Sequence, residues 1–88
     1  AVAQPFSRRM AAIDSLRRVA HEDEQFMALV RQADAARDRH DWAEAESGYT
    51  AALNLHPYER SYWAQLGHVA REQGRLVRAE IAYRTACA

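Results

Sequence analysis

Four histidines, one cysteine and twelve carboxylates are the side chains of this sequence that could do acid–base, nucleophilic or metal chemistry. His21, His40, His56 and His68 include no pair four residues apart, the spacing with which one helix presents two imidazoles to a metal ion. Cys87 stands between Ala86 and Ala88 outside any nucleophile motif and reads as an ordinary thiol. Gly48, Gly67 and Gly74 stand singly, so the chain has no glycine-rich phosphate loop. Glu44 and Glu46 read as charges on a helix face, with Glu44 also serving a helix start. No catalytic residue, metal site or cofactor is expected.

The elements that would position these groups are helical. Apolar residues make up 49 per cent of the 88, with much Ala, two Pro and three Gly, a composition that favours packed helices over strands. A chain of this length is one domain and buries only about 60 to 65 per cent of its unfolded surface. Formal net charge is zero, and all twelve basic residues are Arg. That balance draws the chain neither to nucleic acid nor to an anionic membrane. No apolar run is long enough to span a bilayer. The Arg and Ala excess suits a GC-rich bacterial source, with the cytoplasm favoured and the periplasm possible. Ala1-Val2-Ala3 fits the tail of a cleaved signal sequence, although an arbitrary start is the preferred reading.

Taken in order, residues 1–5 lack periodicity. Ser7 can cap a first helix, over about 6–21, on which Met10, Ile13, Leu16 and Ala20 recur at spacings of three and four. Arg8, Arg9, Arg17 and Arg18 are spread around that helix and read as solvated. His21-Glu22-Asp23-Glu24-Gln25 predicts a boundary, with acids in the first turn of the next helix. The alternative is one unbroken helix from Ser7 to Arg39, since no Pro or Gly intervenes. Phe26, Met27, Leu29, Val30, Ala33 and Ala36 then form a helical stripe. Asp41 and Glu44 make a D-x-x-E cap for a helix carrying Trp42, Ala45, Tyr49, Ala52 and Leu53, which stops before Pro57. A further helix over about 58–73, a turn at Gly74 and a last helix from Leu76 complete two αα-hairpins. The fold class is therefore all-α, about five helices, with antiparallel hairpins over 22–57 and 58–88 stacked behind one extra helix.

The two hairpins share a pattern. Trp63, Leu66, Gly67, Gly74, Ala79, Tyr83 and Ala86 match Leu29, Gln32, Ala33, His40, Ala45, Tyr49 and Ala52 at a shift of thirty-four residues. The second copy resembles the tetratricopeptide repeat, whose helix-turn-helix motif sets W, L, G, Y, A, F, A and P at fixed positions. Ala70 departs from the family's usual aromatic. The first copy, over about 26–59, replaces the Trp, Leu and Gly of its opening helix and recovers with Ala45, Tyr49, Ala52 and Pro57. The resemblance implies a stack of hairpins whose concave face, lined by the first helix of each, binds a peptide or helix of a partner protein. On that implication the contact residues are Val30, Arg31, Asp34 and Arg37 in the first copy and Gln65, His68, Arg71 and Glu72 in the second, beside Met27, Asp38, Ser61 and Ala64. Val30 and Asp34 replace the basic and Asn side chains with which some members clamp a terminal carboxylate, so that clamp is not expected.

Val77 and Ile81, bulky where the first copy has Ala43 and Ser47, are expected to contact further chain, a second copy through terminal helices, or a partner. The expectation is a binding module forming the N-terminal part of a longer protein. Its alternative is an accessory or oligomerisation domain of a larger bacterial enzyme, such as a glycosyltransferase, a polysaccharide-synthesis component or a secretion component. Trp42, Trp63, Tyr49, Tyr62, Tyr83 and Phe26 fall mostly at repeat positions and read as packing residues rather than as a stacking surface for nucleic acid.

Overall fold

A computed structural model describes the backbone of residues 5–88 and the side chains of residue 12 and of residues 15–88. Five helices follow one another: α1 (Pro5–Glu22), α2 (Glu24–Asp38), α3 (Trp42–Leu55), α4 (Arg60–Glu72) and α5 (Leu76–Cys87). No strand occurs among the described residues. The predicted loose start at residues 1–4 and the packing of Met10 and Ile13 fall on residues or side chains outside this description. Helix α1 already begins at Pro5, whose fixed φ suits a first turn, so Ser7 lies within the helix and is not its cap. Each helix packs chiefly on its neighbours in sequence, most closely within the pairs α2–α3 and α4–α5. The molecule measures 52 × 29 × 17 Å along its principal axes. Such an array has nearest-neighbour contacts in place of one closed centre.

The helix boundaries follow from local chemistry. Between α1 and α2 the chain breaks at Asp23, which takes extended angles (φ −81°, ψ 109°) and accepts from the N–H groups of Gln25 and Phe26. Those are two of the donors a helix start leaves free. Thus a single carboxylate, without Pro or Gly, separates what would otherwise run on as one helix. Asp41 caps α3 by accepting from Glu44 N–H, and Glu44 pairs with Arg39 across the turn.

The two hairpin turns share two backbone hydrogen bonds thirty-four residues apart, although Arg39 N–H donates to Ala35 C=O where its counterpart Gln73 donates to Ala70 C=O. His40 and Gly74 both have positive φ, 62° and 76°. The N–H of His40 donates to Arg37 C=O and that of Gly74 to Arg71 C=O, each at 2.9 Å. The N–H of Asp41 and of Arg75 reach back to Ala36 and Ala70 C=O at 2.8 and 2.9 Å. These reversed bonds consume the carbonyls left over at a helix C-terminus, and they require a left-handed residue. Glycine adopts that geometry freely, whereas His40 does so against its Cβ. Stacking of its ring on Trp42, 4.9 Å between centroids, is the compensation visible here.

Close approach within the hairpins rests on small residues. A Cβ on Gly48 would lie 2.8 Å from Ala33 Cβ and 3.2 Å from its Cα, so α3 meets α2 almost backbone to backbone. At the corresponding places in the second hairpin the types are exchanged, with Gly67 on the first helix and Ala82 on the second. A Cβ on Gly67 would meet the Tyr83 ring at 2.8 Å. The absence of a glycine at Ala33 is therefore matched by Gly48 opposite it.

Two groups of buried side chains hold the array. The larger joins Ala33, Ala36, Ala45, Tyr49, Leu53, Leu66, Val69 and Ala82, with Trp42, Tyr62 and Trp63 against it. The smaller joins Ala20, Phe26, Val30 and Ala52 at the α1 end. Phe26 is wholly buried, edge-on to His56 and to Tyr62 at centroid distances of 5.0 and 5.6 Å. Beyond Ala20 the described part of α1 is exposed, including Leu16 and Val19.

Candidate protein-interaction surface

The residues expected to contact a partner stand on one side of α2 and of α4, because positions three, four and seven apart share a helix face. They do not share one environment. Val30 is 2 per cent exposed and packs with Ala20, Phe26 and Ala52. It is a core residue, and the presence of α1 is the physical reason, since that helix covers the end of the stack against which Val30 would otherwise open. Met27 is half-buried at the margin of the same group.

Asp34, Arg37 and Gln65 come together with Tyr49. The two N–H groups of Arg37 Nη1 donate to the Tyr49 hydroxyl (3.2 Å) and to Gln65 Oε1 (3.1 Å), and the same nitrogen lies 3.4 Å from the Asp34 carboxylate as an ion pair. From Nε and Nη2 it donates to Asp38 at 3.2 and 3.0 Å. Tyr49 in turn donates to Asp34. One planar fork thus ties α2 to α3 and α4, a use for which arginine suits better than lysine. Burial, the bond to Asp34 and that carboxylate's charge push the Tyr49 phenol well above its ordinary value. Burial likewise raises Tyr62, with the charges of Asp34 and Glu59 adding to it. Burial opposes the charge of Arg37, but the Asp38 bond and the charges around it prevail, so its affinity for its proton is raised.

His68 is half-buried with its ring edge-on to Trp42, 5.7 Å between centroids. Arg31, Arg71 and Glu72 are exposed, and among the described residues none of the three makes a side-chain hydrogen bond or ion pair. The face therefore has a pinned centre, Asp34–Arg37–Gln65, an aromatic edge, His40–Trp42–His68, and charged groups free in solvent. The aromatic edge was not legible as a unit in the sequence, because its members belong to a turn and two helices.

On the other side of the hairpins lies a second polar centre that the sequence did not suggest. Glu46, read as a surface charge, is 6 per cent exposed. It accepts from Gln73 (2.6 Å), from Arg75 (3.2 Å to each oxygen) and from Arg78 (2.5 Å). Burial alone would raise its pKa; the bonds from Arg78 and Gln73 and the two guanidinium charges outweigh that and hold it below the ordinary 4.5. Asp23 is also lowered, chiefly by its bond to His56 at 2.9 Å and by Phe26 N–H. Glu59 is buried beside His21, 3.6 Å away, as the residue that precedes α4.

Val77 and Ile81 are 73 and 60 per cent exposed, and Leu76 beside them 66 per cent. Cys87 is a free, exposed thiol. Among the described residues no three His, Cys, Asp or Glu side chains gather as a metal site, and no helix is long and apolar enough to cross a membrane. Comparison of the chain with protein-family models, with curated proteins and with solved structures finds no match.

Proposed function

We propose that this chain is a protein–protein interaction scaffold of the tetratricopeptide-repeat kind, which receives a peptide or helix of a partner protein on the common face of α2 and α4. The observation that carries the reading is the Arg37 fork. It joins three helices into one rigid surface and leaves Arg31 on α2 and Arg71 and Glu72 on α4 free beside it. A face whose centre is already ordered loses little conformational entropy when a partner arrives. Its charges are of both signs, which favours a segment of mixed charge over nucleic acid or anionic lipid.

The test is selection of peptides from a displayed library on the purified chain, followed by fluorescence anisotropy of the enriched sequences. Arg31→Glu combined with Glu72→Arg, two substitutions at unbonded surface positions, is expected to weaken binding at least ten-fold. Asn54→Arg, exposed on α3 away from that face, should leave it unchanged. Failure to enrich any peptide, or enriched peptides indifferent to the double reversal, would overturn the reading.

A further inference from the structure

Glu59 is buried without the partners that burial of a carboxylate demands. It is 2 per cent exposed, and its Oε1 is, among the described residues, the one buried side-chain polar atom with no hydrogen-bond partner. As the residue before α4 it could cap that helix, yet its carboxylate makes no capping bond. Only its backbone C=O is used, by Tyr62 and Trp63 N–H. What lies over it is α1. Ala12 shares a cavity of about 480 Å³ with Pro57, Tyr58 and Trp63 of the α3–α4 connection, and His21 Nε2 is 3.6 Å from Glu59 Oε2.

That distance is too long for a hydrogen bond, so the contact acts only through charge. Among the described residues His21 is the one ion-pairing neighbour of Glu59. Arg60, next in sequence, donates to Ala88 C=O instead. Tyr62 on α4 feels the Glu59 charge but brings no cation, and Arg17, Arg18 and Glu22 border a depression with His21 on α1 itself. Apolar docking of α1 is slight: Ala20 is its buried side chain in the described part, while Leu16 and Val19 stay 41 and 55 per cent exposed. The joint with α2 is held in another way. His56 Nε2 is 2.9 Å from Asp23 Oδ2, a distance across which a neutral imidazole can also donate. The Asp23 joint therefore survives loss of the histidine proton, and the His21–Glu59 attraction does not.

We infer that α1 is a proton-operated latch, which protonated His21 holds over Glu59 and which loss of that proton frees to swing about Asp23. With His21 neutral, a buried carboxylate with no compensating charge favours the arrangement in which water reaches it. With His21 charged, the closed arrangement gains the ion pair. Helix α1 is thus docked in mildly acid solution and released above neutrality, over the range of about pH 5–8 in which histidines change charge. Out of contact, a single helix of 18 residues is marginal in water and frays. Release uncovers Phe26 and Val30, which pack with Ala20, and returns Val30 and Met27 to the surface of α2. As a control on partner binding the latch rests on the α2–α4 reading, but its operation does not and is measured with no partner present.

Hydrogen exchange of the full chain, each rate referred to the unfolded rate at the same pH, tests it. The amides of residues 15–21 should be roughly three-fold better protected at about pH 6 than at about pH 8. His21→Gln should abolish that difference by giving the looser state at both pH values, and His21→Arg by giving the tighter one. Glu59→Gln, with no charge to bury, should abolish it too. Continued protection of Val69 N–H in every variant shows that α4 remains folded. Equal protection of α1 at the two pH values in the wild type would overturn the latch, as would a pH dependence that persists in His21→Gln or in Glu59→Gln. Peptide selection that fails while the latch responds as expected counts against the α2–α4 reading alone.

Discussion

Tyr49 and Tyr83 hold the same place in two hairpins of one design, and their surroundings differ. Tyr49 is wholly buried, with its hydroxyl shared between Asp34 and Arg37. Tyr83 is half-buried beside Gly67, at an open groove. The same contrast separates Glu46, enclosed by Arg75 and Arg78, from Glu80, whose side chain is 59 per cent exposed. In the turns on which these residues hang, the bonds of His40 and Gly74 and those of Asp41 and Arg75 agree to within 0.1 Å. A repeat position is thus structural or available according to what lies behind it, and residue type alone does not decide which.

That comparison can be broken by paired substitutions. The largest gap is expected at Leu53 and Cys87. Leu53→Ala should cost about 2–5 kcal/mol by removing buried contacts, whereas Cys87→Ala should be near neutral; urea unfolding of both variants reads the difference. Next come Ala45 and Ala79, both nearly devoid of exposure. Ala45→Leu overpacks the α3–α4 contact and should cost about 1–3 kcal/mol. Ala79→Leu can project into the open groove and should cost less, as measured by the shift in thermal midpoint. Equal losses would mean that the second face is closed as tightly as the first.

Smaller effects are expected from the polar centres. Tyr49→Phe removes the hydroxyl from the Arg37 fork and should cost about 1 kcal/mol, while Tyr83→Phe should change little. The Glu46 carboxyl is held below its ordinary 4.5 in the folded state. Its contribution is therefore complete above that value and is lost as pH falls through the lower folded pKa. The stability advantage of the wild type over Glu46→Gln should accordingly hold at neutral pH and vanish in acid. Asp23 titrates in the same direction, so the wild-type curve alone would not isolate Glu46; the difference between the two proteins does. Glu80→Gln should cost little at neutral pH, since only Arg84 on its own helix meets that exposed carboxylate.

Much of the fold was legible before any coordinates. The period-three-to-four stripes, the D-x-x-E at Asp41, Pro57 and Gly74 mark elements whose causes are local, and a local cause leaves a local trace in sequence. Asp23 was half legible. The acid-rich run predicted a boundary, but an unbroken helix remained open because the capping bond to Phe26 N–H is a matter of geometry. Glu46 was misread because its burial is created by Gln73, Arg75 and Arg78, about thirty residues away. Val30 was misplaced for a similar reason, since only the docking of α1 removes it from the surface. Gly48 went unread because its partner Ala33 lies on another helix, where the pattern led one to expect the glycine itself.

The account stands on one difference between two otherwise matching hairpins, the cover that α4 gives to α3 and that nothing among the described residues gives to α5. Amide hydrogen exchange followed residue by residue measures it most directly. Tyr49 N–H should be protected at least ten-fold more than Tyr83 N–H. Equal protection of Tyr49 and Tyr83 in the chain alone would contradict the account.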